Sequence, residues 1–136
     1  MNTEDDAMYI IKATAPINTE CHSNAKVQLS SGKVKFLIDE RTAKEKLLGT
    51  QKGQKMTPEE RAEYLKPFTL TSILKEEMLN LREENEGINI SLKQANRSIR
   101  KDKFSAFEYG LYYIKQDEDK KKKKKKFNAS DWFFMN

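Results

Sequence analysis

The spacing of apolar residues along the chain predicts an alternation of strands and helices, the pattern of an α/β fold. An apolar run at 8–11 and charged/apolar alternation at 33–39 are typical of strands, and the alternation is cleanest at 88–92. Helical spacing or helix-starting residues predict five helices: 18–29, 40–48, 57–66, 71–84 and 102–116.

Capping and helix-breaking residues set the expected ends of these elements. Thr57 with Glu60 three residues later forms a capping box, so a helix begins there. Pro67 should end that helix just before it. Gly32 is expected to adopt the left-handed conformation after the first helix, and 49–54 is expected to be a flexible loop.

Each helix should bury one face. Cys21 and Ala25 are expected to face inward in the first helix, whereas the acidic residues of the fourth, Glu77 among them, are expected on a solvated face. The predicted buried stripes are Ile73, Leu74, Met78 and Leu81 in the fourth helix and Phe104, Phe107, Leu111 and Ile114 in the last.

The positive charge of the chain is concentrated in one lysine run. The 136 residues suffice for one domain, and the net charge of +5 includes seven charges from the run, so the remainder carries −2. We expect a frayed 1–7, an α/β domain at 8–116, a disordered acidic and lysine-rich linker at 117–126, and an aromatic segment at 127–136. The run consists of Lys120, Lys121, Lys122, Lys123, Lys124, Lys125 and Lys126.

The two C-terminal segments each allow a functional and a plainer interpretation. The lysine run is either a non-specific DNA contact or a solvated spacer. The aromatic segment, with Trp132, Phe133 and Phe134, either folds back onto the domain or anchors the chain in a partner's groove.

Cysteine and histidine usage excludes several classes of function. The single cysteine, Cys21, excludes an internal disulfide and suits a reducing compartment. Cys21 and His22 lack further ligands for zinc, and helix neighbours point too far apart to form a nucleophile–base pair. No apolar run approaches the length of a membrane span and the acidic start lacks signal-peptide regions, so we expect an intracellular protein.

An acid among cations precedes the last predicted helix. Asp102 stands where a carboxylate can cap a helix, and Arg100, Lys101 and Lys103 are the charges expected beside a phosphate backbone. The plain interpretation is an N-cap among solvated charges, and the alternative is a metal ligand beside DNA.

Four segments in order resemble the C-terminal nuclease half of the tailed-phage large terminase, the DNA-packaging motor. They are Ser31-Gly32-Lys33-Val34-Lys35-Phe36; Pro67-Phe68-Thr69-Leu70-Thr71 with the helix to Leu81; Ile88 to Leu92; and Arg100-Lys101-Asp102-Lys103-Phe104-Ser105-Ala106 with Tyr109-Gly110. The resemblance covers about residues 8–116.

This resemblance implies a partial RNase H-like nuclease fold, with a mixed sheet of about three short strands and flanking helices. It implies cleavage of concatemeric double-stranded DNA by two Mg²⁺ or Mn²⁺ ions held between carboxylates. Asp102 would be the last catalytic and metal-binding acid, and Arg100, Lys101, Lys103 and the lysine run would contact DNA. The expected location is the cytoplasm of an infected bacterial cell.

The chain departs from the family pattern at its start. The strands that carry the earlier catalytic acids should precede residue 8, and no Gly-x-x-x-x-Gly-Lys-Ser/Thr loop is present. We therefore expect the chain to be inactive alone and to need a companion chain with the ATPase and the rest of the nuclease domain. A portal or other packaging protein would meet Trp132, Phe133 and Phe134. The alternative is a small non-catalytic module that binds nucleic acid or protein through the lysine run and the aromatic tail.

Overall fold

A computed structural model describes the backbone of residues 10–134 and the side chains of residues 10–126. This part of the chain is mostly helical, with one two-stranded antiparallel hairpin. Its elements are α1 (Ala15–Ser30), α2 (Glu40–Leu48), α3 (Gln51–Lys55), α4 (Pro58–Leu79), β1 (Leu81–Glu86), β2 (Asn89–Gln94) and α5 (Asp102–Phe134). None of the described helices is long and apolar enough to cross a membrane.

Helix α1 begins three residues earlier than predicted because Thr14 acts as its cap and Pro16 fits within its first turn. The Thr14 hydroxyl accepts a hydrogen bond from Ile17 N at 3.4 Å. Cys21 and Ala25 are buried, as expected. Gly32 has a φ of 70°, which confirms the left-handed residue after the helix.

Residues 33–39 are neither helix nor strand in the part of the chain that the structure describes, so the strand predicted there is wrong. The alternation instead reflects packing on α5: Val34 and Phe36 are half-buried, and the Phe36 ring lies 5.8 Å from the Phe107 ring. Of the strand predicted at 8–11, residues 8 and 9 lie outside the described residues, and 10 and 11 are not in a strand.

The first packed cluster joins α2, α3 and α4. Ala43 and Leu47 of α2 are buried against Leu65 of α4, and Met56 and Phe68 pack around them. The predicted flexible loop at 49–54 is wrong, because Thr50 caps the short helix α3 through a hydrogen bond from Gly53 N at 3.0 Å. The backbone of α3 lies close to Leu47 of α2, because Gly53 has no Cβ.

Helix α4 starts at the predicted capping box, with Thr57 N donating to Glu60 Oε2 at 2.9 Å. The prediction that Pro67 ends this helix is wrong, since α4 runs through Pro67 to Leu79. A proline removes one hydrogen bond to the carbonyl four residues earlier. Both Pro67 and Glu63 are exposed, so water can satisfy that carbonyl.

The hairpin replaces the end of a predicted helix. Residues 81–84, assigned to a helix from their sequence, begin β1, and the chain reverses at Gly87, whose φ is 66°. The strand predicted at 88–92 is confirmed as β2, which pairs with β1 from Leu81↔Gln94 to Glu86↔Asn89. Because the described strands form only this antiparallel pair, the expected mixed sheet of three strands is wrong for this part of the chain.

Helix α5 is continuous from Asp102 to Phe134, so the prediction of a disordered linker at 117–126 is wrong. Asp117 and Lys121 form an i,i+4 ion pair at 2.9 Å inside that segment. The side chains of Trp132, Phe133 and Phe134 lie outside the described side chains, so the two interpretations of the aromatic segment remain predictions.

Candidate functional site

Asp102 is the first residue of α5, and its side chain is accessible to solvent. Sixty-five per cent of the side chain is exposed, and Oδ2 lies 2.6 Å from Nη2 of Arg100. Lys101 and Lys103 are exposed on either side of it. The four residues at the start of α5 thus present one carboxylate within a cationic surface.

The capping role considered for Asp102 is performed by a side chain from another helix. Glu77 of α4 is 2% exposed, and its Oε2 accepts a hydrogen bond from Phe104 N at 2.9 Å. A carboxylate there satisfies an otherwise unpaired amide and meets the positive end of the helix dipole. Asp102 accepts no hydrogen bond from a backbone amide of the described residues, and the one side chain that pairs with it there is Arg100, on Oδ2.

The prediction that Glu77 is solvated is therefore wrong, and a signal for its burial exists in the sequence. Glu77 follows Ile73 by four residues and Leu74 by three, so it falls on the stripe predicted to be buried. Asn80, the cap at the end of α4, fixes the same region by donating to Asn96 O at 2.9 Å and accepting from Asn96 N at 2.8 Å.

A second buried glutamate joins α5 to α1. Glu108 is 3% exposed, and its Oε2 lies 2.8 Å from Nδ1 of His22. Burial raises the pKa of Glu108, while the hydrogen bond and charge of His22 act to lower it. The buried face of α5 is thus Phe104, Glu108 and Tyr112, and Ile114 of the predicted stripe is half exposed.

The His22–Glu108 pair forms part of the wall of a cleft of about 370 Å³ between α1, β2 and α5. Tyr109 donates to Asn18 Oδ1 at 2.7 Å, and Lys101 Nζ donates to Leu92 O at 3.3 Å. Most polar groups of the cleft thus bond to each other. These bonds fix the first turns of α5 against α1 and β2.

Cys21, next to His22, is not an activated nucleophile. Its side chain is fully buried, and burial raises the pKa of its thiol to about 11. A thiol with that pKa is protonated at neutral pH and reacts slowly. The geometry therefore agrees with the sequence argument against a Cys–His hydrolase.

Asp102 belongs to no larger cluster of potential metal ligands among the described residues. Among them, no group of three or more histidine, cysteine, aspartate or glutamate side chains is arranged to hold a metal ion. Glu77 and Glu108 are occupied by Phe104 and His22 and are buried.

The lysine run lies on a part of α5 whose described side chains are exposed to solvent. All seven lysines are exposed, and Lys121 pairs with Asp117, an interaction that raises the pKa of Lys121. Seven consecutive residues of a helix cover all directions around its axis. The run is therefore a cylinder of positive charge, separated along α5 from Asp102 and its cationic neighbours.

Comparison with known proteins found no matching family model, no matching curated protein and no matching solved structure.

Proposed function

We propose that this chain is the C-terminal part of a terminase-type nuclease domain and that Asp102 supplies one carboxylate to a two-metal centre that cleaves DNA. The substrate is concatemeric double-stranded DNA, and the ions are Mg²⁺ or Mn²⁺. A companion chain carries the ATPase, the remaining acids and the rest of an RNase H-like sheet. The observation that carries the proposal is the exposed Asp102, relieved of capping by Glu77.

The chemistry of Asp102 suits a hard divalent cation. Such ions prefer carboxylate oxygens, and a carboxylate at the head of a fixed helix is a well-positioned ligand. Arg100, which pairs with Asp102 at 2.6 Å, would move to a phosphate when the ion binds. Because one carboxylate cannot hold two ions, the chain alone is expected to be inactive.

The hairpin offers a place for the companion chain. Helix α1 covers the outer edge of β2, where Ile90 N donates to Thr19 Oγ1 at 3.0 Å. The outer edge of β1 has no partner strand among the described residues, and its residues 82–86 are exposed. A free edge pairs readily with another strand, so the missing strands can extend the sheet from β1.

Cleavage of supercoiled plasmid in Mn²⁺ tests the proposal. The chain is assayed alone and together with a companion polypeptide that carries a phosphate-binding ATPase loop and two strand-end aspartates. We expect cleavage only by the mixture. Asp102→Asn should reduce the cleavage rate at least 100-fold, because the charge that holds the ion is lost.

Glu63→Gln is the matched control, since it removes an exposed acid from α4 and leaves both the start of α5 and the lysine run unchanged. It should cleave at the rate of the unmodified mixture. Cleavage by the Asp102→Asn mixture at that same rate would contradict the metal-binding role of Asp102.

The alternative function, a non-catalytic nucleic-acid-binding module, is favoured by the exposed lysine helix. About three or four of its seven lysines can face one duplex, so binding should weaken about 40- to 150-fold between 50 and 200 mM salt. Replacing all seven with glutamine should remove most of that salt dependence in a fluorescence-anisotropy titration. Duplex binding by the chain without cleavage by any mixture would select this alternative.

A further inference from the structure

Helix α5 carries two cationic clusters separated by an acidic stretch. The first cluster is Arg100, Lys101 and Lys103 at its start, and the second is the lysine run. Between them, the exposed part of the helix contains Asp117, Glu118 and Asp119. A uniform polyanion along the whole helix would be repelled by this stretch, whereas a partner with spaced negative charge would not.

The separation of the two clusters follows from helix geometry. An α-helix rises about 1.5 Å per residue, so the 22 residues from Lys101 to Lys123 correspond to about 33 Å. One turn of B-form DNA is about 34–36 Å long. On one face of a duplex, the same phosphate backbone returns after that distance, with the minor groove, the complementary backbone and the wider major groove between the two crossings. At about 24–27 Å from Lys101, the acidic stretch falls within the major-groove part of that interval.

The distance is set by a fixed element. Glu77 fixes the start of α5 through Phe104, and the His22–Glu108 pair fixes its second turn. From there the helix continues without interruption through the lysine run. The clusters therefore keep their spacing without the entropy cost of ordering a linker.

We infer that α5 acts as a ruler for duplex DNA, with its two clusters on backbone crossings one helical turn apart and its acidic stretch over the intervening groove. This inference rests on the proposed binding of double-stranded DNA and adds the form and length of DNA that the chain engages. It identifies B-form duplex, because a flexible single strand has no such repeat.

Anisotropy titrations of the full chain with 8-bp and 16-bp duplexes at 100 mM salt test the spacing. Only the longer duplex contains a full helical turn and so offers two crossings of the same backbone. The variant inserts seven alanines between Gln116 and Asp117, which adds two helical turns and about 10 Å while keeping both clusters intact. We expect the insertion to weaken binding to 16 bp about tenfold and to leave binding to 8 bp unchanged.

A longer duplex offers more overlapping binding positions, which raises the apparent affinity of every variant equally. Comparing the variants on the same duplex removes this effect. A second variant, Arg100→Gln/Lys101→Gln/Lys103→Gln, should lose affinity for 16 bp and little for 8 bp, because the lysine run binds the short duplex alone. Circular dichroism checks the fold of both variants: the triple glutamine variant should keep the helix content of the unmodified chain, and the insertion variant should gain that of seven residues.

Each result separates the inference from the proposed function. Equal affinity of the insertion variant and the unmodified chain for 16 bp would overturn the ruler while leaving DNA binding intact. Failure of the unmodified chain to bind either duplex would overturn the DNA-binding function itself. Tighter binding to a 16-nucleotide single strand, or to vesicles of anionic lipid, would also overturn the inference, since neither has the helical repeat.

Discussion

The two packed parts of the molecule are held together by different means. Around α2, α3 and α4, the buried residues Ala43, Leu47 and Leu65 are apolar and make contacts without preferred direction. Where α1, α4 and α5 meet, two glutamates are buried among apolar residues, and each bonds to one specific partner.

The apolar cluster mainly contributes to the stability of the fold, whereas the buried glutamates mainly determine the position of α5. Apolar contacts favour compactness but allow small shifts, whereas a buried carboxylate is costly unless its hydrogen bonds are made with good geometry. Glu77 and Glu108 therefore define where α5 begins and how it lies. The cluster that positions Asp102 is the one that relies on directed bonds.

Gly53→Ala should have the largest effect on the apolar cluster. A Cβ on Gly53 would overlap the carbonyl oxygen of Leu47 and lie 2.9 Å from its Cγ, so the backbone of α3 or α2 must move. We expect a loss of about 3 kcal/mol in the free energy of unfolding, measured by urea titration.

Gly110→Ala is the matched control within α5, because a Cβ there meets nothing within 4 Å. It should stabilise the protein by about 0.5–1 kcal/mol through the higher helix propensity of alanine. A Gly53→Ala variant as stable as the unmodified chain would show that α3 does not need its close approach to α2.

Glu77→Ala should have the next largest effect and should act on the start of α5. It leaves the buried amide of Phe104 without an acceptor, at a cost of about 2 kcal/mol. Glu77→Gln keeps an oxygen in place and should cost less than half as much. Hydrogen exchange should show faster exchange at Phe104 in the alanine variant. Unchanged exchange there would contradict the capping role.

Glu108→Gln should change the pH dependence of the free energy of unfolding more than its magnitude at any one pH. Because burial raises the pKa of Glu108, the folded state holds this proton more tightly than the unfolded chain does, whose ordinary value is near 4.5. The contribution of Glu108 to stability is present below that value and is lost as the pH rises through the raised pKa.

Glutamine does not titrate. The melting temperature of the variant minus that of the unmodified chain should therefore increase as the pH rises above about 4.5. Glu118→Gln, an exposed position in α5, should show no such gain. If the difference in melting temperature stays constant or shrinks as the pH rises, burial does not raise the pKa of Glu108.

Local sequence signals predicted the elements that depend on neighbouring residues. The capping box at Thr57 and Glu60, the left-handed Gly32 and the strand at 88–92 were all predicted correctly, since their determinants lie within a few residues. The strand at 33–39 failed because alternation reports burial on one side, and here the covering element is α5.

The site depended on contacts between distant parts of the chain. Asp102 was singled out from its charged neighbours, but the partner that frees it from capping comes from 25 residues earlier in sequence. Glu77 is assigned to a solvated face by its charge and Glu108 is not assigned at all, although both occupy apolar positions of their helices. Glutamate on an otherwise apolar stripe is the signal that sequence reasoning should have used.

The buried Cys21 makes the junction between α1 and α5 observable in real time. It is the single thiol of the chain, and it is fully covered in the folded state. An aromatic disulfide reagent can therefore react only when α1 lifts away, and the rate of colour release reports how often that junction opens. A bound duplex or companion chain that rests on α5 would register as a slower release of the aromatic thiolate, while the other half of the reagent stays on Cys21 as a mixed disulfide.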